Sequence, residues 1–211
     1  MDTSFIPSED FFPELKSLYT ATNTCSTTWA CIAAVAFSGF NVPEAVPLIF
    51  ECAQRHENVE GKLLVRRIRE ALFKSGLMYG FPKFEKGLFS PDPTTQLDET
   101  KKKGQALFDQ LYGEKSPTVS NFLEEIHSDL GGDFFMKTIA YGYIYGYTDI
   151  LSATETSLCI VAGAIVAGTA PQLVDHEAGA RRNGASADEI EATKRIVVAV
   201  AKGCNVRLAS E

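Results

Sequence analysis

Two serines in the second half of this 211-residue chain each stand three residues ahead of a glutamate at the head of an apolar run: Ser152 with Glu155, and Ser186 with Glu189. In that spacing the serine hydroxyl can accept from the third backbone N–H of a helix while the glutamate reaches back to the serine's own N–H. The backbone is thereby committed to helix at two defined points. Strand signals are almost absent, with no period-2 run and no Asn-Gly between β-branched segments. Asn183-Gly184 reads instead as a helix C-terminus, with Gly184 at the left-handed C′ position.

The remaining punctuation extends the helical reading over the whole chain. A short helix is expected from about Ser8 to Tyr19, and an Ala-rich one from Thr27 to Phe37, ended by Gly39. Pro43 opens a third at its first position, running to about His56. Glu60 to Ser75 is amphipathic, with Leu64, Ile68, Ala71 and Leu72 on one stripe and Gly76 as its stop. Pro82 opens a short helix to Leu88, and Ser90 to Thr95, with two prolines, is the best linker. Further helices are expected from Asp98 to Tyr112, Ser116 to about Asp129 and Asp133 to Tyr147. Another follows Ser152, one runs from Pro171 to Asn183-Gly184, and a last one buries Ile190, Val197, Val200 and Ala201 before Gly203.

The order repeats. Cys31-Ile32 and Cys159-Ile160 both lie in Ala-rich helices. Twelve residues after each cysteine a proline starts the next helix, Pro43 or Pro171, and an amphipathic helix follows. One copy closes with Lys74-Ser75-Gly76 and the other with Ala201-Lys202-Gly203. The expected architecture is all-α, with two related helical-hairpin units, residues 1–90 and 97–211, packed together as one unit.

Charge narrows the function. A net charge of −7 argues against nucleic acid, which needs clustered Lys and Arg. The densest basic runs, Lys101-Lys102-Lys103 and Arg66-Arg67-Ile68-Arg69, read as solvated helix faces. No stretch reaches the ~18 apolar residues of a membrane span. Five cysteines without a CxxC give no zinc site and no disulfide framework. Cys31, Cys159 and Cys204 read as core side chains in a reduced, intracellular compartment. The cytoplasm is the default location, and peroxisome or mitochondrion stays open. Neither a signal peptide nor a transit peptide is visible.

Residues 171 to 190 read PQLVDHEAGARRNGASADEI. This stretch resembles the signature of the carboxymuconolactone decarboxylase family within the AhpD-like superfamily: a helix carrying Gln-Leu, His and Gly-Ala, then Asn-Gly-Ala, then Glu-Ile opening the next helix. Gly104, Tyr112-Gly113 and the Tyr141-Gly142 to Leu151 run are similar to that domain's lead-in helices, so the resemblance covers roughly Leu97 to Leu208. The first half is more weakly similar, best at Tyr79-Gly80-Phe81-Pro82-Lys83. The resemblance implies an AhpD-like antiparallel helical fold that oligomerises. For this two-copy chain a dimer or trimer is expected. It also implies one of two chemistries, peroxide reduction by a Cys pair relayed by Glu and His, or decarboxylation of a lactone acid.

The peroxidase chemistry fails on residues. The two cysteine positions fall on Thr169 and Gln172, the second His position on Pro171 and the Glu position on Ser157. A thiolate with a resolving thiol is the minimum for that reaction. The decarboxylase chemistry keeps its helix His as His176, the candidate catalytic residue. On a helix, Leu173 and Ala180 share its face, and an imidazole there could move a proton near neutral pH. The bland alternative is a buried His bonded to a backbone carbonyl. Tyr141 and Tyr145 share a helical face and could offer hydroxyls to a small ligand, or fill a packing seam. Gln172 joins them as a candidate binding residue. So does Glu155, two positions from the family Glu, although it also reads as the capping partner of Ser152. The first copy has Leu48 where the second has His176, and no obvious acid/base group. Trp29 reads as core, and His56 and His127 as surface residues. No metal site and no cofactor motif is found. Two functions remain open: an acid/base enzyme of the decarboxylase type at His176, or an inactive scaffold or small-molecule-binding protein.

Overall fold

The computed structural model describes residues 8, 10–79, 97–127 and 133–208. Among them there are helices and no strands. They are α1 (Phe11–Ser17), α2 (Thr28–Gly39), α3 (Ala45–His56), α4 (Gly61–Tyr79), α5 (Leu97–Tyr112), α6 (Ser116–Ile126), a π-helix (Asp133–Tyr145), α7 (Ala153–Ala167), α8 (Ala170–Arg182) and α9 (Ala187–Gly203). A single 3₁₀ turn, Gly113–Lys115, joins α5 to α6. The expected helix Pro82 to Leu88, the Tyr79–Lys83 motif beyond Tyr79, and the Ser90 to Thr95 linker lie outside the described residues.

Two helices without a polar face form the centre. Every residue of α2 is buried, and so is α7 from Thr154 to Ala164. A helix apolar all round needs cover on all sides. Here α2 and α7 pack on each other, and α4 and α9 each pack against both. Thus α4, from earlier in the chain, covers α7, and α9, from later in the chain, covers α2. Trp29 is core, 1% exposed, with its indole N–H 3.3 Å from Glu57 Oε1. Cys31 and Cys159 have no exposure at all. Burial pushes the Cys31 thiol up to about 12 and the Cys159 thiol well above its ordinary range, so neither is a nucleophile.

Helix α1 is shorter than expected at both ends, α6 stops at Ile126 with His127 extended, and three further boundaries differ from expectation. Pro43 lies before α3, which begins at Ala45; the Pro43 carbonyl accepts from Val46 N–H, so the proline shapes the approach turn. Gly76 does not stop α4, which continues to Tyr79. Ser75 and Gly76 are buried where α4 meets Gly163 of α7, and a Cβ on Gly163 would stand 3.2 Å from Met78 Cβ. Gly76 is buried within α4, whereas Gly203 is the last residue of α9. The run from Asp133 is a π-helix ending at Tyr145, with the wider i→i+5 turn, in place of an α-helix to Tyr147.

Both capping boxes form, and each glutamate does a second task. Glu155 Oε2 accepts from Ser152 N–H, while Oε1 accepts from Cys25 N–H, the Thr28 hydroxyl and Arg67. Glu189 Oε2 accepts from Ser186 N–H, while Oε1 accepts from Thr22 N–H, Asn23 N–H and the Thr24 hydroxyl. The segment between α1 and α2 is thus strapped over two helix N-termini by two carboxylates. Burial alone would raise the pKa of Glu155, but Arg67 and the N–H and O–H donors outweigh it and hold the group down to about 2. Glu189 is lowered in the same way: burial opposes, and the Ser186 and Asn23 N–H groups prevail. Depressed carboxylates contribute stability that is complete above the unfolded value of about 4.3 and disappears as pH falls toward the folded value. Melting temperature should therefore fall as pH drops from about 5 to 3. The fall should be shallower in Glu189→Gln, which has no proton to gain there. Parallel melting curves for the two proteins across that range would contradict the strap.

Candidate functional site

Helix α8 begins after Thr169, carries Pro171 in its first turn and ends at Arg182, capped by Asn183 and followed by Gly184 at φ +95°. It buries His176, Gly179 and Ala180. Gly179 is where α5 crosses: a Cβ there would meet Leu111 Cγ at 2.5 Å and the Leu111 carbonyl at 3.1 Å. Two contacts flank the crossing. Arg182 Nη1 donates to the Leu111 carbonyl at 2.6 Å, and Lys115 pairs with Asp175 at 2.5 Å. This close approach sets the Tyr112 ring 6.3 Å from the His176 ring.

The π-helix supplies the next layer. Tyr141 packs edge-on against Phe108 at 5.1 Å and Tyr145 at 5.2 Å, and its hydroxyl donates to the Tyr112 hydroxyl at 3.2 Å. Burial raises the pKa of Tyr112, Tyr141 and Tyr145, so all three phenols keep their protons at neutral pH. His176 is 6% exposed, and its Nδ1 is buried with no hydrogen-bond partner among the described residues. Burial lowers its pKa to about 4 against a weak opposing pull from Asp175, so the imidazole is neutral at pH 7. A second buried atom, Oδ1 of the α8 C-cap Asn183, is likewise unpartnered among the described residues, while Asn183 Nδ2 donates to Ser157 Oγ at 2.8 Å.

The structure thus brings His176, Tyr141 and Tyr145 into one region, joined by Tyr112, which the sequence reading used only as a lead-in landmark. Gln172 is exposed, one turn before His176 on α8. Glu155 is buried, and both its oxygens are engaged by Ser152, Cys25, Thr28 and Arg67. A surface depression of ≈ 350 Å³ lies elsewhere, between the ends of α2 and α7 and residues 206–208.

Two buried cations correct the expectation of a solvated basic face and of a first half without acid/base groups. Arg67 donates to Thr27 Oγ1, the Ile150 carbonyl and Glu155 Oε1, the last at 2.6 Å. Lys74 has no exposure; Nζ donates to the Tyr147 carbonyl at 2.6 Å and Thr156 Oγ1 at 2.9 Å, with Glu70 at 3.6 Å. Burial lowers its pKa to about 8 against the pull of Glu70. A signal was there to be read. Arg67 and Lys74 each follow an apolar stripe residue, Leu64 and Ala71, by three positions, which puts both on the inward face.

The family model for carboxymuconolactone decarboxylase matches residues 134–211, from the π-helix through α7, α8 and α9. Over those residues the chain is similar to the carboxymuconolactone decarboxylase family. The match starts later than the Leu97 expected from the lead-in residues, so α5 and α6 precede it. Similarity to two yeast proteins runs over most of the chain. Peroxisomal protein 2 of Schizosaccharomyces pombe is 27% identical over 190 residues, 83% of this chain and 86% of that protein. Peroxisomal protein 2 of Saccharomyces cerevisiae is 22% identical over 271 residues, 93% of this chain and 92% of that protein. No solved structure matches the chain. The matched residues include both His176 and Ser157, whose Oγ accepts from Asn183 Nδ2. No described helix is long and apolar enough to cross a membrane.

Proposed function

We propose that the chain holds a small-molecule site at His176 with acid/base chemistry of the decarboxylase type. The observation that carries this reading is the unpartnered Nδ1 of a buried imidazole. A histidine kept for structure alone is bonded, because an unmet buried polar atom costs about 1–3 kcal/mol. A ligand that pairs with Nδ1 removes that cost on binding. With the imidazole neutral at pH 7, His176 enters as a proton or hydrogen-bond acceptor. The phenols of Tyr112 and Tyr141 are the proton-bearing groups, suited to a carboxylate or to the oxyanion of a carbonyl compound. Residues 1–90 act as the structural half that packs against this one. The names of the two yeast relatives support a peroxisomal location, with a homo-oligomer as the working assembly.

The second reading, a small-molecule-binding or scaffold protein without turnover, has its own support. Glu155 is committed to Arg67 and the cap, and the rings of Phe108, Tyr112, Tyr141 and Tyr145 fill space against one another.

His176→Gln separates these readings from a structural histidine. Because Nδ1 has no bond to lose, the melting temperature should change little. Binding of small carboxylic acids and lactones, read by thermal shift, should disappear. Retained binding in the variant would remove His176 from the site. A clearly lowered melting temperature with an unchanged screen, at roughly 2–4 °C per kcal/mol for a chain of this size, would establish a structural role. Turnover of any ligand that binds distinguishes the enzyme from the scaffold.

A further inference from the structure

Helix α6 is seated on the molecule by only part of its apolar arc. Val119 and Leu123 are half-buried against the Phe108–Tyr141 cluster. The neighbouring stripe, Phe122 and Ile126, is 59% and 57% exposed, although residues four apart make one continuous strip. Single exposed hydrophobes are ordinary, whereas a paired aromatic and aliphatic strip marks an interaction surface. Glu124 and Glu125 beside it are exposed. On the other half, α4 carries a face of opposite sign. Leu63 is 41% exposed, and Lys62, Arg66 and Arg69 around it are exposed at helical spacing. Among the described residues, no ion pair within the chain uses any of these five charged side chains.

We propose that the acidic-apolar face of α6 docks on the basic-apolar face of α4 in a second copy of this chain. The occupant follows from charge. The chain carries −7 overall, so two copies repel unless local patches of opposite sign meet. Each copy carries both an acidic face and a basic face, and each face includes exposed apolar side chains: Phe122 and Ile126 on α6, Leu63 on α4. Both patches are satisfied when α6 of one copy meets α4 of another, in a dimer or a closed ring. Opposite charges at the rim set register and discourage other pairings, while Phe122, Ile126 and Leu63 supply the buried area.

The experiment is light scattering and sedimentation of the full chain at micromolar concentration. Variants are Glu124→Lys with Glu125→Lys, Arg66→Glu with Arg69→Glu, and all four together. All four positions are exposed and distant in sequence from His176, so thermal melting serves as a fold control. The wild type should be a closed oligomer. Each double reversal should weaken it about tenfold or more by setting like charges opposite each other. The fourfold reversal should restore assembly, because the signs again match. A monomeric wild type would overturn the proposal and assign the α6 face to a different protein. So would an oligomer indifferent to either reversal, or a fourfold variant that stays dissociated, since the two faces would then not be opposed.

Discussion

Arg67→Met should lower the melting temperature by roughly 6–20 °C, from a loss of about 3–5 kcal/mol at roughly 2–4 °C per kcal/mol. Arg67 and Glu155 are 7% and 5% exposed at the side chain, and their closest atoms are 2.6 Å apart. Removing the cation leaves a carboxylate in a place that water reaches poorly. Burial, the influence that Arg67 now overcomes, would then raise the Glu155 pKa. The same substitution unbinds Thr27 Oγ1 and the Ile150 carbonyl, which the guanidinium also holds. Arg67→Lys should recover little, because one ammonium cannot span three acceptors that a planar guanidinium reaches at once. Arg67→Met with Glu155→Gln should recover much of the loss, because no buried charge then remains unpaired. A single variant melting within about 2 °C of the wild type would mean that the pair is solvated and the clasp between α4 and α7 is incidental.

Gly104→Ala should also destabilise, by about 3 kcal/mol or more, which reverses the usual sign of a glycine-to-alanine change within a helix. The reason is a close approach of backbones. A Cβ on Gly104 would stand 1.6 Å from the Lys137 carbonyl and 2.7 Å from Gly142 N, and neither atom belongs to a side chain that can swing aside. Gly142 returns the contact, since its own Cβ would lie 2.6 Å from the Thr100 carbonyl. Alanine at 104 must therefore push α5 away from the π-helix. That separation opens the seat of Phe108 against Tyr141 and moves Tyr112 relative to His176. Loss of the near-ultraviolet signal of the tyrosines should accompany the lower melting temperature. A variant as stable as wild type, with that signal intact, would show that α5 does not pack this closely.

Much of the helical order could be read because capping is decided within a few residues. Ser152 with Glu155, Ser186 with Glu189, and Gly184 after Asn183 are each local arrangements in which one side chain or one φ angle meets a backbone group of its own turn. The stretch from Pro171 to Ile190 was enough to point to the family, since its His, Gly-Ala and Asn-Gly-Ala occupy fixed places on one helix and its exit. Where local rules misled, a distant partner was the cause. Gly76 reads as a stop, yet α4 runs through it because α7 presses Gly163 against Ser75 and Met78. Arg67 reads as one member of a basic run, yet it is buried because its three acceptors come from residues 27, 150 and 155.

The candidate site divides along the same line. His176 and the glycine three residues after it are local features of one helix, and the sequence alone marked them. That the imidazole is neutral, that its Nδ1 meets nothing among the described residues, and that Tyr112 is the ring beside it follow from how α5, backed by the π-helix, packs on α8. Desolvation and the absence of a partner belong to the assembled surroundings. A sequence specifies the donor or acceptor that a side chain brings, whereas tertiary packing decides whether anything is left for it to meet.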